Sequence, residues 1–311
     1  MSILNQNIPV VIAFTPNYFV PACVTLKSIL DNSSDLDKYK VYCLLTEELA
    51  SQYKELLCVL GGSRMEFAYI NMTGKLEGIY IDERYTIAAS FRLVLAELLP
   101  HIDRVIYLDC DIIVRQNLAV LYNSIELGDN YMAVIFESPL AHQFSYIEKL
   151  GLKWNEYFNS GFLVMNLKQL RVDNMSEQFI EASKEEGLQF PDQDVLNKLC
   201  KGKTVGLSPK YNGIRTFLLP QFKDEFLKLY SLKDWVDVQR YSNIHYTGGK
   251  PWDIMAVKFE YWWKYFDRLP REIKMGFPIK KSLYFLSCIK RNALGKWVIN
   301  AGSNLLRWIK Y

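Results

Sequence analysis

Through residue 111 the chain alternates continuous apolar runs with stretches in which apolar residues recur at helical spacing. Val10 to Phe14, Val41 to Leu45, Met65 to Ile70 and Arg104 to Leu108 have the length and apolarity of strands buried on both faces of a sheet. Between them the spacing predicts helices. One has Pro21 in its first turn and continues through Ser28 and Leu30, a second covers Glu47 to Leu60 and stops at Gly61-Gly62, and a third covers Ala88 to Leu98 before Pro100. Such alternation predicts βαβ units, right-handed crossovers and an α/β fold on a mixed, mostly parallel central sheet flanked by helices. After Asp111 the order changes. Met132–Phe136 and Phe162–Met165 read as strands separated by an aromatic, loop-like stretch containing Pro139, and a helix begins near Asp192 and continues through Val195–Cys200. The chain contains no internal repeat and no low-complexity segment.

At 311 residues the chain can bury a large core. It has no run of about 18 apolar residues, the length needed to span a bilayer. No basic residue precedes Lys27, which argues against a secretory signal peptide. Its six cysteines lie far apart with no C-x-x-C pair, a pattern that predicts reduced thiols in a cytoplasmic protein. Charge divides the chain unevenly. All 34 acidic residues precede residue 273, whereas eight of the 37 Lys and Arg follow it. The expected organisation is therefore a catalytic body over 1–270, ended by Pro270, and a basic, aromatic, helical tail over 271–311.

Candidate chemistry begins at Tyr107-Leu108-Asp109-Cys110-Asp111, where an apolar run ends in two carboxylates. A buried strand that delivers Asp-x-Asp at its C-terminal end presents two hard oxygen ligands where open α/β sheets bind ligands. Asp35-x-Asp37 and Asp192-x-Asp194 share the spacing, but neither follows a strand-like run. Neither glycine-rich phosphate loop, G-x-G-x-x-G or G-x-x-x-x-G-K-[ST], is present. A nucleotide diphosphate would then have to be neutralised otherwise, and a cation held by Asp109 and Asp111 does so. Three other polar clusters sit at the edges of apolar elements: Phe158-Asn159-Ser160-Gly161, Pro191-Asp192-Gln193-Asp194, and Ile244-His245-Tyr246-Thr247-Gly248-Gly249-Lys250-Pro251-Trp252. The last offers an imidazole ligand, close backbone approach at Gly248 and Gly249, and a cation at Lys250.

Taken in order, N-Y, F-R-L, Y-L-D-x-D-x-x-V, F-N-x-G, D-Q-D-x-L-N and H-Y-x-G-x-K-P-W resemble glycosyltransferase family 8 over roughly residues 9–255. The resemblance implies a GT-A fold and a Mn²⁺-dependent hexosyltransferase (Mg²⁺ being the other candidate ion) that uses UDP-galactose or UDP-glucose and retains the anomeric configuration. It implies Asp109, Asp111 and His245 as metal ligands, a mixed oxygen and nitrogen set that suits Mn²⁺. It also implies Gly248 and Lys250 at the diphosphate, with Lys250 stabilising the departing UDP. Ala13, Asn17 and Tyr18 would hold the uridine, and Arg92, Asn159, Asp192 and Gln193 the donor sugar, with Cys110 and Ser160 also at the donor. Relatives that transfer galactose carry an acidic residue where this chain has Thr15 or Pro16, and one more residue between glycine and lysine than Gly248-Gly249-Lys250.

Retention requires either same-face attack assisted by the diphosphate or a covalent glycosyl intermediate. Gln193 stands where the nucleophile would be expected and is a poor one, so the covalent route falls to Asp194. The acceptor the resemblance implies is an oligosaccharide, lipid-linked as in lipopolysaccharide or lipooligosaccharide core. A protein-linked glycan and a non-catalytic sugar-nucleotide-binding role are the competing readings. The tail interleaves Trp297, Trp308 and Tyr311 with Lys296, Arg307 and Lys310, a composition suited to an anionic membrane surface. Peripheral attachment to the inner face of the cytoplasmic membrane is therefore expected, with nucleic acid disfavoured by the acidic body.

Overall fold

The computed structural model of the chain describes residues 7–82 and 86–292. Nine strands form there: β1 (Ile8–Phe14), β2 (Tyr39–Leu45), β3 (Met65–Asn71), β4 (Arg104–Leu108), β5 (Ile112–Ile113), β6 (Met132–Phe136), β7 (Phe158–Asn166), β8 (Thr204–Gly206) and β9 (Ile244–His245). Seven make one sheet in the order β3-β2-β1-β4-β7-β6-β8, parallel except where β7 runs against β4 and β6. The mixed, mostly parallel sheet is the one the apolar runs predict. Alternate residues of its strands feed separate cores on its two faces. Ile106 and Leu108 of β4 join Val10, Ile12 and Phe14 on one face, whereas Val105 and Tyr107 join Val11 and Leu44 on the other.

Because β2 and β3 lie on one side of β1 and β4 on the other, the chain reverses direction across the sheet between β1 and β4. A crevice opens at the C-terminal ends of these two strands. The helix at Phe19–Asp31 and a 3₁₀ stretch at Ile87–Val94 that runs on into a short α-turn, Leu95–Leu98, pack beside this reversal.

Three local readings shift. The second helix starts at Ser51 rather than Glu47 and ends at Gly61, with Gly62 beyond it at φ +54°, a left-handed conformation that favours glycine. The polar cluster Asn159-Ser160-Gly161 belongs to β7 itself and does not precede it. The two-residue pairing of β5 with β9 has no counterpart in the apolar pattern, since both strands are too short to register as runs.

The charge boundary near residue 270 is not a break in packing. The helix at Lys281–Arg291 lies on the helix at Glu260–Asp267, held by Arg291 to Asp267 at 2.6 Å, Lys290 to Glu260 at 3.0 Å and the Tyr284 hydroxyl to Asp267 at 2.9 Å. Trp262, Trp263, Phe266 and Phe277 form an aromatic layer beneath it. Trp252 stacks on this layer and meets Tyr18 edge-on at 5.7 Å, which seats the Gly248–Trp252 loop over the crevice. The rest of the expected tail, 293–311, lies outside the described residues. No helix among the described residues is long and apolar enough to cross a membrane.

Candidate active site

The carboxylates that end β4 meet a histidine from far along the chain. Asp111 immediately precedes β5, and antiparallel pairing sets Ile112 against His245 of β9. Asp109, Asp111 and His245 each turn one ligand atom inward, all within 4.8 Å of one another. His245 Nε2 lies 3.3 Å from Asp111 Oδ1 and 3.6 Å from Asp109 Oδ2. Each inward oxygen belongs to a carboxylate whose other oxygen is engaged. Asp109 Oδ1 accepts from Arg92 Nη2 at 2.9 Å and from the Tyr107 hydroxyl at 3.1 Å. Asp111 Oδ2 accepts from Lys250, whose ammonium also donates to the Tyr246 carbonyl at 2.9 Å.

Two observations show that this set could hold a divalent cation. Asp111 Oδ1 is buried without a hydrogen-bond partner, which is costly unless something else meets it. Gly161, opposite on β7, is also required to be bare. A Cβ there would stand 2.3 Å from His245 Cε1 and 2.6 Å from Asp109 Oδ2, so glycine keeps the space between the ligands open. Burial pushes the Asp111 carboxyl up, but the Lys250 ammonium overcomes this and holds it below the usual carboxylate range.

The second polar group arises where the helix Pro191–Leu199 begins against β7. Asp192, Gln193 and Asp194 are all buried, yet they face different ways. Asp192 lines the cavity with Arg92 Nε at 3.2 Å and the Ser160 hydroxyl at 3.1 Å. Burial raises its pKa, partly offset by Arg92. Gln193 Oε1 accepts from the Ser160 N–H at 2.9 Å and from Asn159 Nδ2 at 3.1 Å, while its Nε2 donates to the Tyr157 hydroxyl at 3.0 Å.

Asp194, the candidate nucleophile of a covalent route, faces away from the cavity. It does not line the cavity, and both its oxygens are engaged by donors. The Tyr157 hydroxyl donates to Oδ1 at 2.5 Å, and Oδ2 accepts from the Tyr146 hydroxyl and the Phe190 N–H. In this arrangement Asp194 contacts Tyr157, whose hydroxyl in turn accepts from the Gln193 amide.

The cavity has two adjoining lobes of about 370 Å³ each, both bounded by Arg92, Asp109, Asp111, Gly248 and Lys250. One lobe reaches the end of β1, where Ala13, Tyr18 and Cys110 line it. The other holds Asn159, Ser160, Asp192 and Gln193. Asp109 and Asp111 therefore sit at the junction, and His245 lines the second lobe. Asn17 falls outside both linings and stands exposed on the 3₁₀ turn Pro16–Tyr18.

Sequence reasoning missed Glu137, which follows β6 and lines the second lobe, accepting from Asn159 Nδ2 at 3.0 Å. A carboxylate at the end of an apolar strand was the available signal, the same one that marked Asp109. It also missed Arg215, on the cavity wall, and the fully buried Asn212, whose setting leaves no mark in the local pattern.

Comparison with known proteins agrees with this geometry. The family model for glycosyl transferase family 8 matches residues 9–256. A lipopolysaccharide 1,2-glucosyltransferase of Escherichia coli is 28% identical over 254 residues, spanning 77% of this chain and 71% of that protein. The galactosyltransferase LgtC, solved with donor and acceptor sugar analogues, superposes with a TM-score of 0.70 at 27% identity, covering 85% of this chain and 98% of that one. The bifunctional glycosyltransferase WbbM shares the fold at 20% identity, with a TM-score of 0.74 over 88% of this chain and 52% of that one. Bounded by the turn after β4, the bare Gly161 and the β5–β9 pairing, this is the site of a protein that belongs to glycosyl transferase family 8 and is related to lipopolysaccharide glucosyl- and galactosyltransferases.

Proposed function

We propose that the chain transfers galactose or glucose from its UDP derivative to an oligosaccharide acceptor, with retention of configuration. The observation that carries this reading is the Asp109–Asp111–His245 cluster, whose two carboxylates stand where two lobes meet, one suited to a nucleoside and one to a sugar. Asp109 Oδ2, Asp111 Oδ1 and His245 Nε2 would hold Mn²⁺, or Mg²⁺ in its place. The ion supplies charge neutralisation for the diphosphate leaving group.

Lys250 is the mobile cation of the site. In the free protein it pairs with Asp111; with a cation on Asp111 its ammonium is free to meet diphosphate oxygens and stabilise departing UDP. Tyr18 offers a ring to the base. Arg92, Asn159, Asp192 and Gln193 offer the sugar a cation, amide groups and a carboxylate. With Asp194 engaged elsewhere, retention proceeds by same-face attack, the diphosphate oxygen receiving the acceptor's proton. The acceptor we favour is a lipid-linked lipopolysaccharide core. Met275, Ile279 and Phe285 are exposed in the same stretch of chain as Lys280 and Lys281, and this, with the basic and aromatic composition of the sequence beyond residue 292, suits anionic lipid at the cytoplasmic face.

The test is UDP release from a panel of UDP-sugars with Mn²⁺ and with EDTA. Mn²⁺-dependent hydrolysis of one UDP-hexose is expected. Absence of release from every donor, together with no UDP binding by calorimetry, would move the chain to a non-catalytic role. For the membrane reading, anionic vesicles should sediment the full chain and not a truncation after residue 292; equal sedimentation rejects it.

A further inference from the structure

We propose that Asn212 is a positioning residue that fixes the tautomer of His245, keeping the proton on Nδ1 and a lone pair on Nε2 for the cation. The inference rests on the metal-site reading above. It comes from a chain of buried amides whose orientations are all set by one backbone N–H.

The Gly161 N–H can only donate, and its acceptor, at 3.1 Å, is Asn159 Oδ1. That identifies the oxygen of the Asn159 amide and turns its NH₂ toward Glu137 and Gln193, both of which accept from it. The atom of Asn212 that meets Asn159 Oδ1 at 2.8 Å must then be its NH₂. Its oxygen is left facing His245 Nδ1 at 2.9 Å, and two acceptors cannot stand at that distance. His245 must therefore carry a proton on Nδ1.

The opposite tautomer moves the conflict along the chain without removing it. With a bare Nδ1, Asn212 would have to rotate and set oxygen against oxygen at Asn159. Rotating Asn159 in turn would set its NH₂ against the Gly161 N–H. Asn212 is fully buried and His245 nearly so, so water is not at hand to relieve the mismatch. Hydrogen bonding on the far side of a metal-binding histidine orients the ring and its lone pair, and removing such a partner typically weakens metal binding by about 10–100-fold. The partners of the Asn212 side chain, Asn159 and His245, are both distant in sequence, which is why the sequence is silent about it.

The experiment combines tautomer and affinity. The chain has three histidines, His101, His142 and His245, so long-range ¹H–¹⁵N spectra of labelled imidazoles can be assigned with His101→Gln and His142→Gln variants. At mildly alkaline pH, His245 should be protonated on Nδ1 in the metal-free and the Mg²⁺-loaded protein. Asn212→Leu should lose this preference and bind Mn²⁺ roughly 10–100-fold more weakly by calorimetry. An Nε2–H tautomer in the wild-type chain overturns the proposal, as does a folded Asn212→Leu with unchanged tautomer and affinity. If Asn212→Leu does not fold, the wild-type spectrum still decides. Failure of the underlying site reading looks different: neither the wild-type chain nor His245→Ala would show a Mn²⁺ isotherm, whatever the tautomer.

Discussion

Two stretches of this chain carry the same Asp-x-Asp spacing and put it to different uses. Asp109-Cys110-Asp111 is the turn between two strands, and both carboxylates reach the same space, each with one oxygen engaged and the other turned inward. Asp192-Gln193-Asp194 opens a helix, where residues two apart lie on different faces. There Asp192 faces the cavity and Asp194 faces a pair of tyrosines. The unsatisfied oxygen marks where a ligand is awaited, and the saturated carboxylate marks a support.

The largest effect should come from the inward carboxylate. Asp111→Asn should abolish Mn²⁺-dependent UDP binding and lower UDP release by about 10²–10³-fold, as for loss of a group that stabilises a developing charge. Unchanged UDP affinity with Mn²⁺ in calorimetry would sink the ligand assignment. Next is Gly161→Ala, whose methyl would enter the space between His245 and Asp109. A displacement on the order of 1 Å should reduce turnover by up to about 10²-fold while the melting temperature changes little. A fully active Gly161→Ala would show that the gap is not needed.

Asp194→Asn separates support from nucleophile. Losing an acceptor for two tyrosines should destabilise the fold by about 1–3 kcal/mol in urea, with turnover reduced far less than in Asp111→Asn. Loss of turnover as deep as that of Asp111→Asn, in a folded variant, would instead make Asp194 the nucleophile.

The smallest effect concerns Lys250. Its ammonium holds the Asp111 carboxyl below its unfolded value, so this stabilisation is complete above the unfolded pKa and is lost as pH falls through the folded one. In Lys250→Met burial dominates and the Asp111 pKa rises. The metal-free variant should therefore be less stable than wild type by on the order of 1 kcal/mol at neutral pH, the gap closing as the solution is acidified below about pH 4. A gap that widens on acidification contradicts the pairing.

Much of the fold was legible because the five long inner strands are apolar on both faces, which writes them into the chain as continuous runs. The Asp109 turn was legible for the same reason: carboxylates stand out at the end of such a run. The tyrosine partners of Asp194 were not legible, although helical geometry at Asp192–Asp194 already argued that the two acids diverge. Glu137 carried the strand-end signal and was passed over. Asn212 carried none, because its side-chain partners, Asn159 and His245, are distant in sequence.

The sequence by itself determined the buried strands of a mostly parallel sheet and the two carboxylates at the C-terminal end of one of them. These follow from hydrophobic burial, which acts on residue type and local period. Only the tertiary structure decided that His245 completes the cluster through a two-residue pairing, that Gly161 leaves room for it, that Asp194 is withdrawn from the cavity, and which nitrogen of His245 is bare. Those outcomes depend on directional hydrogen bonds between residues far apart in the chain, whose partners exist only once the elements have packed.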